Sequence, residues 1–200
     1  RQFKMVEFLL KRNADVTIAD VDRCTPLHSI AENSDRTDLA ALLLQKAQMQ
    51  GSTDYIDSKT TDWKTALNLA AENKQIKMVE FLLKRNADVT IACNNGYTPL
   101  HNICHKSERV DVAEQILQKA EEQGVTDYID YQNEWRRSAL NIVAKCENFK
   151  IVEFLANKNA DVTIVDEYGY TPLHWIAQNS DHTDLAELLL RKAEEQGAAN

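Results

Sequence analysis

"TALNLAAENKQIKMVEFLLKRNADVTIACNNGYTPLH" occupies Thr65–His101. Its first part places Ala66, Leu67, Ala70 and Ala71 at helical spacing, with small residues that let another helix come close. Its second part places Ile76, Val79, Leu82 and Leu83 on one stripe, with Lys and Glu opposite. Asn86 is expected to close that second helix, because Asn tolerates the left-handed end conformation. "ADVTIACNNGY" then reads as an extended stretch and a tight turn, with Asn95-Gly96 as the turn signal.

This pattern recurs. "TPLH" stands at Thr25–His28, Thr98–His101 and Thr171–His174, each 73 residues from the last. "TALN" at Thr65–Asn68 and "SALN" at Ser138–Asn141 fall between them, so the steps alternate 40, 33, 40 and 33. Self-similarity at this period means stacked units, none of which can bury its apolar face alone. In the longer unit, "TDLAALLLQKAQMQG" is expected to put Leu39, Leu42, Leu43 and Lys46–Ala47 on one face. Thr37 is its expected N-cap and Gly51 its stop. "TDYID", at Thr53–Asp57 and Thr126–Asp130, leads to the next turn. "KMVEFLLKRNADVTIA" is identical at Lys4–Ala19 and Lys77–Ala92, yet the next five residues, "DVDRC" and "CNNGY", share no position.

The 33-residue step, the TPLH tetrapeptide and "VEFLLKRNADV" resemble ankyrin repeats. The resemblance covers essentially the whole chain. It implies an all-α ankyrin-repeat solenoid, in which helix-turn-helix units are joined by β-hairpin-like loops. Residues 1–200 then form a single array, with a partial repeat at 1–17 and complete repeats starting near 20, 60, 93, 133 and 166. The array is expected to be a fragment of a longer protein. Departures from the family pattern are clear. Asn13, Asn86 and Asn159 replace its Gly before "ADV", the inter-helix Gly is missing from every unit, and TALN and SALN lack the helix-starting Pro. Thr17, Thr90 and Thr163 stand where the family's Asn, a hydroxylation site in some members, follows "DV".

The formal charge is −8 and the sequence pI is near 5.2. That argues against nucleic acid, which needs clustered Lys and Arg, and against anionic membrane. No apolar run approaches the ~20 residues of a membrane helix. Cys24, Cys93, Cys104 and Cys146 have irregular spacing and no CxxC pair, which points to a reducing, intracellular setting. His28, His101 and His174 recur with the TPLH motif, so they are expected to bond the Thr hydroxyl and neighbouring backbone rather than act as bases. His101, Cys104 and His105 match no structural zinc spacing, and Cys104 falls where other repeats have Ala31, Ala71, Ala144 and Ala177. No metal, no cofactor and no enzyme activity are expected. The chain carries no phosphate-cradling glycine loop and no nucleophile-elbow, zincin or kinase motif.

Tyr55, Tyr128, Phe81 and Phe154 recur at the same period and read as core or near-core. Trp63, Tyr97, Trp135, Tyr168 and Tyr170 lie at or beside the hairpin tips. They either pack on neighbouring tips or form a row of exposed aromatics, and interface hot spots favour Trp and Tyr. The resemblance implies that the tips and first-helix ends form a concave binding face. Candidate partner-binding residues there are Trp63, Lys64, Tyr97 and Lys106, the run Glu134, Trp135, Arg136 and Arg137, and Lys145, Tyr168 and Tyr170. The expected function is a protein-protein interaction module. Its expected partner is a protein with apolar anchors and some acidic groups. The extended second helices are the rival recognition surface. The rival function is a structural spacer or scaffold in a multidomain protein whose active domain lies elsewhere. Near-identical copies fit a recently duplicated array, the basis for expecting a host-directed protein delivered into a host cell.

Overall fold

A Thr or Ser fixes where each first helix begins. Thr65 Oγ accepts from the Asn68 N–H at 3.2 Å and Ser138 Oγ from the Asn141 N–H at 3.3 Å. These bonds satisfy donors that a helix start otherwise leaves unpaired. In the TPLH copies, Pro presets the first helical residue and His closes the cap from the other side. The computed structural model describes Phe8 and residues 12–179 and 181–197. It comprises two compact units, Arg1–Asn94 and Asn95–Asn200.

The first unit carries α1 (Pro26–Asn33), α2 (Thr37–Met49), α3 (Ala66–Glu72) and α4 (Ile76–Lys84), with a 3-10 turn at Tyr55–Asp57 between α2 and α3. The second carries α5 (Pro99–Lys106), α6 (Val110–Glu122), α7 (Ala139–Lys145), α8 (Phe149–Asn157), α9 (Pro172–Asn179) and α10 (Thr183–Glu195), with a 3-10 turn at Tyr128–Asp130. No strand occurs among the described residues. The all-α repeat architecture is thus present, and its hairpin-like loops are turns rather than paired strands. Most of the expected partial repeat at 1–17 lies outside the described residues.

Within each unit, first helices pack on first helices: α1 on α3, α5 on α7, and α7 on α9. Helices of 7 to 13 residues are too short to persist alone, so this stacking holds them. The core of the first unit is built on Leu27, Leu39, Leu43, Leu67, Met78 and Leu82. That of the second is built on Leu100, Ile103, Ile116, Tyr128, Leu140 and Ile151. Tyr55 and Tyr128 are buried, while Phe81 and Phe154 are half-buried.

The long second helices do more than fill space. Just past α2, Gln50 Oε1 accepts from the Val16 N–H and its Nε2 donates to the Ala14 carbonyl, both at 3.2 Å. Past α10, Gln196 repeats this with Val162 N at 3.2 Å and the Ala160 carbonyl at 3.0 Å. The extra helical turn therefore delivers a side-chain amide that pins the exit loop of the preceding repeat. The 3-10 turns pin the following one. Asp57 accepts from the Asp88 N–H at 2.9 Å, and Asp130 from the Asp161 N–H at 2.8 Å.

Asn13, Asn86 and Asn159 all adopt the left-handed conformation expected of Asn86, with φ of 62°, 63° and 62°. Three expectations need correction. Thr37 is the first residue of α2, not its cap: the preceding Arg36 makes no side-chain cap bond, and Asp35 instead accepts from Met78 N at 3.0 Å. Leu42 is exposed, because the core-facing residues of that helix are Leu39, Ala40, Leu43 and Ala47. In α4, Ile76 is half-buried and Met78 takes its place in the interior.

Candidate functional site

Each tip is a five-residue turn, and in four of the five the first side chain, Asp20, Thr60, Asn133 or Asp166, accepts from the turn backbone. Asp20 Oδ1 accepts from the N–H groups of Asp22 at 3.0 Å and Cys24 at 2.8 Å. Asn133 Oδ1 does the same for Trp135 and Arg137, both at 3.0 Å, and Asp166 Oδ1 for Tyr168 at 2.9 Å and Tyr170 at 3.1 Å. The fourth residue is left-handed in every copy: Arg23, Trp63, Gly96, Arg136 and Gly169 have φ between 55° and 79°. Neighbouring tips join through one backbone bond. Thr61 N donates to Asp22 O at 2.9 Å, and Glu167 N to Trp135 O at 3.0 Å. Backbone and one polar side chain therefore fix the turn, and the remaining side chains are released from that task.

In the first unit, Trp63 is 54% exposed, with Lys59 Nζ 4.7 Å from its ring centre. Lys64 is committed to Glu72, 2.7 Å away. In the second unit, Tyr97 and Trp135 are half-buried and meet edge to face at 5.8 Å. Tyr168 and Tyr170 remain exposed, at 66% and 37%. Both alternatives for the aromatics are thus realised, in different copies. Arg137 is spent internally: it reaches Asp166 and Glu167, each at 3.3 Å, and lies over the Tyr168 ring at 5.8 Å. Glu134, Arg136, Lys106 and Lys145 are exposed.

Two participants were not among the sequence candidates. Trp175 in α9 is buried, 4.9 Å from the Tyr170 ring and 4.7 Å below Lys145 Nζ. Its signal was a Trp where other first helices have Ser29, Leu69, Asn102 and Ile142. Val21, 94% exposed at the first tip, carried only its tip position as a signal.

The motif histidines are structural. The Thr25 N–H donates to His28 Nδ1 at 3.1 Å, which places the ring proton on Nε2, 2.9 Å from the Ser58 carbonyl. His101 repeats this with Thr98 N at 3.1 Å and the Tyr131 carbonyl at 2.9 Å. Burial lowers the pKa of His28 and pushes that of His101 down to about 4, so both are neutral near pH 7. Burial also raises the Cys104 thiol pKa. With both His101 nitrogens bonded and Cys104 in the core, neither is presented to a ligand. No group of three or more His, Cys, Asp or Glu side chains is placed to hold a metal among the described residues. No described helix is long and apolar enough to cross a membrane.

The profile of the family described as "Ankyrin repeats (3 copies)" matches residues 1–92, 52–127 and 125–199. An ankyrin repeat protein of Fowlpox virus (strain NVSL) is 26% identical over 155 residues, covering 76% of this chain and 43% of its own length. Neurogenic locus notch homolog protein 1 of Xenopus laevis is 31% identical over 156 residues, covering 78% of this chain and 6% of its own length. The human homolog is 29% identical over 195 residues, covering 93% and 7%. This chain therefore spans less than half of each of these relatives. Ankyrin repeats are generally protein-protein interaction modules, and with the helix pairs, the TPLH caps and the turns in place, this chain belongs to the ankyrin-repeat family.

Proposed function

We propose that this chain is a non-catalytic interaction module that holds a protein partner on the tips and first-helix ends of its second unit. One observation carries this: Tyr168 and Tyr170 stand exposed, as do the cations Arg136 and Lys145 of the preceding repeat, although the turns are already closed by Asn133 and Asp166. Side chains that a turn does not require are free to suit a partner. Tyr offers large contact area at low entropic cost. The cations favour a partner with acidic groups around apolar anchors. Trp63 offers a separate exposed aromatic in the first unit. Lys64 and Arg137 support their tips through ion pairs, and Tyr97 and Trp135 support theirs by packing. A preformed surface of this kind loses little ordering entropy on binding. Free thiols at Cys24, Cys93, Cys104 and Cys146 support a reducing, intracellular setting.

The test begins with a partner isolated by affinity capture and confirmed by titration with purified protein. Tyr168→Ala with Tyr170→Ala should leave the helical circular-dichroism spectrum unchanged and weaken binding by at least ~2 kcal/mol. Charge reversal on α6 within Gln118–Gln123, with Glu121 kept, should change neither. Loss of binding in the α6 variant with retention in the tip variant would move recognition to the long second helices. Retention in both would move recognition to a third surface, whereas a chain that binds no captured protein on titration would favour the spacer role.

A further inference from the structure

Away from the tips, the long repeats starting near 20 and 93 each form a groove where the second helix overhangs the following short repeat. In the first unit it encloses about 350 Å³ against Leu44, Gln48, Ser52, Ile56 and Arg85. In the second it encloses about 380 Å³ against Leu117, Glu121, Val125, Ile129 and Lys158, and Glu114 joins the rim. The five positions correspond at the 73-residue period, so the two grooves share one frame. Their floors are alike, with half-buried Leu44 and Ile56 in one and Leu117 and Ile129 in the other.

Their charges differ. The only ionised lining group of the first groove is Arg85, whose guanidinium lies 5.1 Å from the Phe81 ring centre. In the second, Lys158 is neutralised by Glu114 at 2.8 Å. Glu121, exposed, meets no cation among the described residues. Ala41 and Gln48 stand where the second groove has Glu114 and Glu121. One frame is thus cationic at its rim in the first unit and anionic in the second.

We propose that the second-unit groove docks a basic peptide segment, with an aliphatic side chain seated on Leu117 and Ile129 and an Arg or Lys paired with Glu121. Charge complementarity selects this occupant. The rim carries an uncompensated carboxylate over an apolar floor, and the chain's net charge of −8 attracts cations over the range of the Debye length. The volume suits a few side chains rather than a folded domain. This site is independent of the tips and calls for the opposite partner chemistry.

The test is amide-resolved NMR on the full chain, with a short N-acetylated, C-amidated peptide of alternating leucine and arginine added to millimolar concentration. Shifts are expected at Leu117, Glu121, Val125 and Ile129, with none at Leu44, Gln48 or Ile56. Glu121→Gln, which copies the first groove, should weaken the peptide about fivefold. Ala41→Glu with Gln48→Glu, which copies both carboxylates of the second groove, should create matching shifts in the first unit. Leucine–glutamate peptide should leave the second groove unmoved. No shifts, equal shifts in both grooves, shifts confined to the tips, or undiminished affinity in Glu121→Gln would each overturn the proposal. None of these outcomes depends on whether the tips bind a partner.

Discussion

Residues of the second unit as far as Glu167 have counterparts 73 positions earlier in the first. Some pairs behave identically. His28 and His101 close their caps with the same bonds, Tyr55 and Tyr128 are both buried, and Asp57 and Asp130 hold the same loop N–H. Other pairs diverge: Arg23 against Gly96, Trp63 against Arg136, Lys64 against Arg137, Glu72 against Lys145. Both divergent tips nonetheless turn left-handed at the fourth residue. The difference teaches that backbone geometry is held by the cap residues and the core, so surface charge can change sign without moving the chain. Swapping residues between counterparts tests this directly.

The largest effect is expected at Gly96. A Cβ there would sit 2.8 Å from Asn133 Cα and 3.0 Å from Glu134 N, at a φ of 74°. Backbone cannot yield as a side-chain end can. Gly96→Arg, which copies the first unit, should cost about 4 kcal/mol from left-handed strain and overpacking together. Arg23→Gly should change stability by less than ~1 kcal/mol. Urea titration of both variants decides; near-equal effects would break the comparison.

Acid should reveal a second effect. His101 has a folded pKa of about 4 against an ordinary value of 6.5. The folded state therefore binds fewer protons, and its stability is fully present above pH 6.5 and lost as pH falls toward 4. The loss amounts to about 3 kcal/mol. Asp57 and Asp130 oppose it. Burial raises their pKa values, so the stability their protonated forms contribute is lost as pH rises through the folded pKa. Asn141 occupies the same cap position without titrating, donating to Ile164 O at 3.0 Å. His101→Asn should flatten the stability profile between pH 4 and 6.5. An unchanged slope would show that His101 is not the acid-sensitive group.

A third swap concerns the tip ion pair. Arg137 reaches a fully buried Asp166 carboxylate and Glu167, while Lys64 meets the half-exposed Glu72. Arg137→Lys should cost about 1–2 kcal/mol, because a point charge cannot hold both carboxylates in the guanidinium's geometry. Lys64→Arg should cost under ~0.5 kcal/mol. Thermal melts would break the asymmetry if the two costs matched.

Repeat period, helix pairs and motif caps were legible in the sequence because they depend on local chemistry that recurs. Thr-Pro starts, Asn stops and small residues on one face act within a few positions. What was not legible depends on neighbours. Whether Leu42 or Met78 faces inward turns on how helices stack, and periodicity alone fits either. The tips gave their positions but not their states. Tyr97 is half-buried by Trp135, whereas Tyr168 stays exposed, and only the adjoining repeat decides which. Trp175 escaped the candidate set because its contacts, Tyr170 and Lys145, come from sequence-distant or neighbouring elements. The grooves escaped entirely, since no motif marks a gap between two helices.

The smallest effect should be the same in both units. Lys74 and Glu147 are counterparts, and each ends the turn between paired helices with φ of 58°. They stand where the family places Gly. Side-chain sterics at a left-handed residue cost roughly 1–2 kcal/mol. Replacement by Gly removes that strain, but it also frees the unfolded chain, which offsets roughly 0.4–1 kcal/mol. Both side chains are exposed and neither forms an ion pair among the described residues, so packing contributes little to the balance. Lys74→Gly and Glu147→Gly should therefore each stabilise by about 0.5 kcal/mol, and the double variant by about twice that, since distant sites add. Denaturant midpoints at constant slope are the measure. Destabilisation by either variant would mean that Lys74 or Glu147 makes a stabilising contact its counterpart lacks, and the shared scaffold would then be less uniform than its dihedral angles imply.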